Sequence, residues 1–148
     1  MKEVDLSIVI VSWNVADLLR ACLQTVDAGR GELAVEVIVV DSGSQDETPK
    51  MVVDEFPWVK LIARSDNVGF PKGNNLGLVE ANGRYLLLLN PDTEIRGDAL
   101  TTMVQYLDDH PEAGALGPQL LNSDGSHQSS RRRFPTVGVG YFESTWLE

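Results

Sequence analysis

A chain of 148 residues with 43% hydrophobic content is long enough for one domain with a sizeable core and too short for two full ones. Its 12 Lys and Arg against 22 Asp and Glu leave a formal net charge of −10, which excludes a general nucleic-acid or anionic-membrane surface, because phosphates are neutralised by basic residues that are scarce here. The one cysteine, Cys22, excludes an intramolecular disulfide and a cysteine zinc site, and reads as a small core residue in a reducing compartment.

Met1-Lys-Glu-Val-Asp-Leu6 carries acids where a signal peptide carries bases, and the apolar run from Leu6 to Trp13 is too short to span a bilayer. The expectation is a cytoplasmic chain with no transmembrane segment. Leu6 to Trp13 is β-branched and apolar, a first strand, after which Asn14 reads as a helix N-cap with Asp17 in the first turn. Val15, Leu18, Leu19, Cys22, Leu23 and Val26 recur at helical spacing until Gly29 to Gly31 ends the helix. Val35 to Asp41 is a second buried strand finishing on a carboxylate, followed by the turn-rich Ser42-Gly-Ser-Gln-Asp-Glu-Thr48. Thr48 then Pro49 reads as a cap and a proline at the first helical position, opening a short helix through Phe56 that Pro57 stops.

Val59 to Ala63 is a third strand, and Arg64 to Asn75 a loop leading into a helix that continues to about Ala81. Gly73 and Gly77 each cost that helix about 1 kcal/mol relative to Ala, so a ligand or a neighbouring element is expected to approach its backbone closely. The run Arg84-Tyr-Leu-Leu-Leu-Leu-Asn-Pro-Asp-Thr-Glu94 does not alternate, and therefore predicts a central strand buried on both faces. Pro91 cannot donate to a ladder, so Asn90 and Asp92 should project at the strand's carboxyl end, where open α/β sheets bind ligands. Asp98 to His110 is a further helix with Leu100, Met103, Val104 and Leu107 inward, Ala113 to Gly117 a short strand, and Asp124-Gly125 a hairpin signal. The order predicts a mostly parallel sheet with helices on both faces, in an α/β core over residues 1–118, with residues 119–148 as a hairpin and the start of an acceptor-side region.

Neither G-x-x-x-x-G-K-[ST] nor a dinucleotide G-x-G-x-x-G follows the first strand, which leaves out two common nucleotide sites and argues against a sugar-phosphate nucleotidyltransferase. Polar clusters instead fall at three strand ends: Ser12 to Asn14, Asp41 to Asp46, and Asn90 to Asp92. Asp41 and Asp92 are expected on one crevice; the alternative for Asp41, Asp46 and Asp66 is a plain capping role. Asp92 is a hard oxygen donor suited to Mg²⁺ or Mn²⁺, but one carboxylate holds such an ion well only with a substrate diphosphate. His110 and His127 are isolated and read as a helix cap and a hairpin residue.

Ile8 to Asn14, Val39 to Thr48, Asn67 to Asn75, Leu88 to Thr93 and Gly117 to Ser126, the last followed by Arg132-Arg-Phe-Pro-Thr136, together resemble the ordered blocks of glycosyltransferase family 2, and among its branches the rhamnosyltransferase-like one. The resemblance runs from about Leu6 to Thr136 and implies the GT-A fold, with Rossmann-like strand order. It implies a donor lying across the strand ends, contacted by Ser12, Trp13, Asn14, Asp41, Ser44, Asp46, Gly69, Lys72, Gly73, Asn74 and Asn90, with Asp92 as metal ligand. Asp41 would accept from the pyrimidine base with Trp13 packed near it, and Asn74 would replace a frequent arginine. Asn90-Pro-Asp92 is similar to the family's D-x-D motif, Asn90 standing for the first aspartate and reaching a ribose hydroxyl.

The implied activity is inverting transfer of a sugar, rhamnose among them, from a UDP- or dTDP-linked donor to a glycan or lipid-linked acceptor in cell-wall or polysaccharide biosynthesis, with Mg²⁺ or Mn²⁺ as cofactor. Attachment at the inner face of the membrane is the peripheral variant of the cytoplasmic expectation. The family draws its catalytic base from a later acidic motif, and neither Glu143 nor Glu148 resembles it. The chain thus reads as the donor-binding portion of a longer enzyme; the alternative is a nucleotide-sugar-binding module without turnover. Arg131 to Arg133 faces either an anionic ligand or solvent, and the apolar Val137 to Leu147 segment is the expected homodimer surface.

Overall fold

Runs of Val, Ile and Leu without alternation build the strands that a computed structural model places side by side, describing residues 4–129 of the protein. The elements are β1 (Leu6–Ser12), α1 (Ala16–Gly29), β2 (Val35–Asp41), α2 (Thr48–Glu55), β3 (Lys60–Ala63), α3 (Phe70–Val79), β4 (Tyr85–Leu89), α4 (Ala99–Asp109), β5 (Leu120–Leu121) and β6 (His127–Gln128). Strands β3-β2-β1-β4 form one parallel sheet in that order, with Ser12 in register with Asp41 and Ile10 with Leu89. The units are distinct: one ends at Leu116, and the second, from Gly117, carries the β5–β6 hairpin.

Alternation along β1 divides the first unit into two layers. Leu6, Ile8 and Ile10 meet Leu19, Leu23 and Val26 of α1, Met51 and Val52 of α2, and Leu100 and Val104 of α4 in one apolar cluster. A fully buried side chain of this kind contributes about 1.5–3 kcal/mol of transfer free energy. Cys22 belongs to this cluster at 1% exposure, the core position its helical spacing predicts. On the other face α3 lies over β1 and β2. A Cβ at Gly73 would stand 2.8 Å from Val11 Cγ1, and one at Gly77 only 2.4 Å from Val9 Cγ1, so it is the sheet that demands these glycines.

Three expectations are corrected. β4 is an edge strand of the described sheet, and Leu86 and Leu88 are 56% and 51% exposed. Both share register with Ser7 and Val9, on the face that α3 covers over β1 and β2, and no described helix extends that cover to β4. Helix α3 begins at Phe70, earlier than expected, because Pro71 is tolerated in a first turn. Ala113 to Gly117 forms no strand: two glycines weaken its extended state, and no described strand pairs with it. Ala115 and Leu116 instead line a cavity of about 310 Å³ with Leu6, Leu87, Leu100 and Val104. The hairpin follows its signal, with the Gly125 amide donating to the Asn122 carbonyl at 2.9 Å.

Candidate functional site

The carboxyl ends of β1 and β2 are joined by side chains rather than left as open loops. Asp41 closes β2 at 1% exposure; its Oδ1 accepts from the hydroxyls of Ser12 at 3.2 Å and Ser44 at 2.5 Å, and its Oδ2 from the Ser44 amide at 2.9 Å. The Ser44 hydroxyl also accepts the Asn14 amide at 2.8 Å, and Asn14 Oδ1 accepts the Gln45 amide at 2.7 Å. This reciprocal pair holds Asn14 at φ 53°, in the left-handed region that asparagine tolerates better than most residues. Trp13 is carried on that turn with 54% of its surface exposed.

That conformation overturns the capping role expected of Asn14. A cap residue takes extended backbone angles, and the N-cap of α1 is Val15, which makes no side-chain cap of its own. The amides at the start of α1 are met from the loop after β2: Thr48 Oγ1 accepts from Val15 at 3.3 Å, and Asp46 Oδ2 from Ala16 at 3.4 Å. Asp46 Oδ1 accepts the Thr48 amide at 3.0 Å, so one carboxylate serves the starts of two helices. Hydrogen bonding from Thr48, first its side chain and then its amide, and from the Ala16 amide holds Asp46 below the usual carboxylate range against a smaller opposing effect of burial. Thr48 lies inside α2, whose N-cap is Glu47.

The loop before α3 joins the same rim. The buried Ser42 hydroxyl donates to Asn67 Oδ1 at 3.1 Å and accepts the Val68 amide at 2.9 Å. Gly69 caps α3, and Lys72 is exposed in its first turn. Gly73 and Asn74 face inward; Asn74 is 5% exposed and donates through Nδ2 to the Phe70 carbonyl at 2.9 Å. The motifs pointed to neither Ser42, Thr48 nor Asn67 as part of the rim. For Ser42 and Thr48 the available signal was a hydroxyl next to a buried strand or a helix start, which sequence does not distinguish from an ordinary turn residue.

Asn90 and Asp92 stand beyond β4, across β1 from Asp41, and both side chains are exposed and accept no hydrogen bond from the described residues. The Asn90 carbonyl accepts the Thr93 amide at 3.1 Å and lies 3.8 Å from the Cys22 sulfur. Burial, and then the charges of Asp92 and Glu94, push the Cys22 thiol up to about 12. Among the described residues no group of three or more His, Cys, Asp and Glu is arranged to hold a metal ion. The free Asp92 carboxylate fits an ion that takes its other ligands from water and a diphosphate.

His110 accepts or donates at the Tyr106 carbonyl through Nδ1 at 2.9 Å and stacks on the Tyr106 ring, closing α4; His127 meets Gln119 within the hairpin unit. Arg131 to Arg133, Val137 to Leu147, Glu143 and Glu148 lie outside the described residues. No helix among the described residues is long and apolar enough to cross a membrane.

The sequence model of Glycosyl transferase family 2 matches residues 7–147. The chain belongs to this family. Among its family 2 relatives, the succinoglycan biosynthesis protein ExoO of Rhizobium meliloti is 35% identical over 72% of the chain and 31% of its own length. The N-acetylglucosaminyl-diphospho-decaprenol L-rhamnosyltransferase of Mycobacterium tuberculosis is 26% identical over 89% of the chain and 46% of its own length. The chain thus spans less than half the length of these curated relatives. Among solved structures, S. aureus TarS 1-349 in complex with UDP-GlcNAc superposes with a TM-score of 0.64 at 24% identity, over 72% of this chain and 32% of that one. The mannosyltransferase PcManGT from Pyrobaculum calidifontis, in complex with GDP-Man and Mn²⁺, gives 0.62 at 23% identity over 69% and 32%. These likenesses establish the GT-A fold.

Proposed function

We propose that this family 2 chain is the donor-binding portion of an inverting glycosyltransferase that takes a sugar from a nucleoside diphosphate and passes it to a glycan or lipid-linked acceptor. The reading is carried by the strand-end rim itself, where a cross-braced pair of loops and an exposed Asn90–Asp92 pair stand on either side of β1. Family membership and a rhamnosyltransferase relative whose name specifies a diphospho-decaprenol acceptor support it. UDP- and dTDP-sugars, rhamnose among them, are the donors proposed, at the cytoplasmic face.

In this reading Trp13 presents an aromatic face to the base, Asp41 and Ser44 shape the pocket edge beneath it, and Asn90 hydrogen-bonds a ribose hydroxyl. Ser12, Asn14 and Asp46 hold that edge, while Gly69, Lys72, Gly73 and Asn74 bring the start of α3 to the diphosphate. Asp92 is the residue that would hold Mg²⁺ or Mn²⁺. Such an ion, when bound, supplies positive charge to the diphosphate as it leaves. The acceptor hydroxyl bonds to the anomeric carbon from the face opposite the diphosphate, and its proton goes to a carboxylate base.

Calorimetric titration with UDP and dTDP, with and without Mn²⁺, tests the reading: binding strengthened by Mn²⁺ is expected, and no binding under any condition would reject it. Binding without hydrolysis or transfer would favour a donor-binding module that does not turn over.

A further inference from the structure

We propose that Ser42 and Asn67 are positioning residues that latch together the loops after β1, β2 and β3 and so pre-form the donor site without touching the donor; this rests on the donor-binding reading above. Ser42 is 1% exposed although it sits in a turn. Its amide donates to the Ser12 carbonyl at 2.8 Å, at the end of β1. Its hydroxyl donates to Asn67 Oδ1 at 3.1 Å and accepts the Val68 amide at 2.9 Å, in the loop after β3. Asn67 Oδ1 accepts in addition the Gly69 amide at 2.9 Å, fixing the residue that caps α3.

The backbones close on each other at the same point. Gly43 adopts φ +76°, and a Cβ there would stand 3.0 Å from the Asp66 carbonyl carbon, so only glycine lets the two loops meet. Next along the chain, Ser44 bonds Asp41 and Asn14. Ser42 and Ser44 together make the loop after β2 a hub: one serine holds the turn that carries Trp13, the other the loop that leads to Lys72. A site assembled from three loops binds weakly if the loops must be ordered by the ligand, and more tightly if they are already held. Asn67 is exposed, and its side-chain bonds lie within these loops, so its removal should leave the fold intact while the loops separate.

The test is titration calorimetry with UDP, dTDP and GDP in turn, in Mn²⁺, on the wild-type protein, Asn67→Ala, Ser42→Ala and the double variant, with a melting temperature for each. For whichever nucleotide binds the wild type, Asn67→Ala is expected to raise Kd on the order of tenfold at an unchanged melting temperature, since pre-organisation is lost rather than a contact. Adding Ser42→Ala to Asn67→Ala should raise Kd by no more than about twofold further, because both residues act through one latch. The ratio of affinities with and without Mn²⁺ should stay at the wild-type value. Wild-type binding with an unaltered Kd in Asn67→Ala overturns the latch and leaves the donor reading standing, as does a Kd that rises only in step with a fall in melting temperature. A wild type that binds none of the three nucleotides overturns the donor reading and the latch with it.

Discussion

The Ser44 hydroxyl donates to Asp41 Oδ1 at 2.5 Å while accepting the Asn14 amide at 2.8 Å, so a single oxygen couples the end of β2 to the turn that follows β1. Ser44→Ala removes both bonds and leaves Asp41, 1% exposed, with the Ser12 hydroxyl and the residue 44 amide as its remaining donors. A hydrogen bond to a buried charged group is worth about 1.5–3 kcal/mol, and the variant is expected to lose that much in urea unfolding. An unchanged urea midpoint would show that water replaces the hydroxyl without cost.

Gly77 offers an opposite-sign test against helix propensity. In an open helix Gly→Ala stabilises by about 1 kcal/mol. Here the added methyl would meet Val9 Cγ1 at 2.4 Å and Val9 is fully buried, so Gly77→Ala is expected to destabilise by about 1–3 kcal/mol. Thermal melts of Gly77→Ala beside Gly73→Ala would check this; the second, at 2.8 Å from Val11 Cγ1, should cost less. A rise in melting temperature for Gly77→Ala would mean that α3 sits further from the sheet.

Acid dependence should report the helix starts. Asp46 titrates below its ordinary value of 3.8 in the folded state, through Thr48 and then the Ala16 amide, so the unfolded chain binds its proton first as pH falls. Its contribution is therefore complete above about pH 4 and fades below it. Asp46→Asn is expected to be less stable than the wild type at neutral pH, with the gap narrowing toward pH 3. A gap that widened on acidification would reverse the assignment.

The parallel sheet was legible because β1 and β2 are unbroken Val and Ile runs, and each ends on polar residues that the fold does place at one rim. Leu86 to Leu89 misled for a physical reason: composition shows that a strand is apolar, but not which neighbouring element covers each face, and α3 stops short of β4. Asn14 misled because its partners, Ser44 and Gln45, lie some 30 residues on, and their bonds select a left-handed conformation where local pattern suggests a cap. Ser42, Thr48 and Asn67 escaped notice likewise, since each acts between loops that only the tertiary structure brings together. Gly73 and Gly77 were legible as a demand for close approach; that the sheet makes the demand required coordinates.

The central claim is that Asp92 holds the ion shared with a donor diphosphate. Its side chain is exposed and accepts no hydrogen bond from the described residues, so Asp92→Ala should change stability by less than about 0.5 kcal/mol. The decisive measurement is calorimetric titration of wild type and Asp92→Ala with UDP and dTDP, in the presence and absence of Mn²⁺. The account predicts that Mn²⁺ strengthens nucleotide binding to the wild type and leaves the variant unaffected; an equal Mn²⁺ enhancement in both would contradict it.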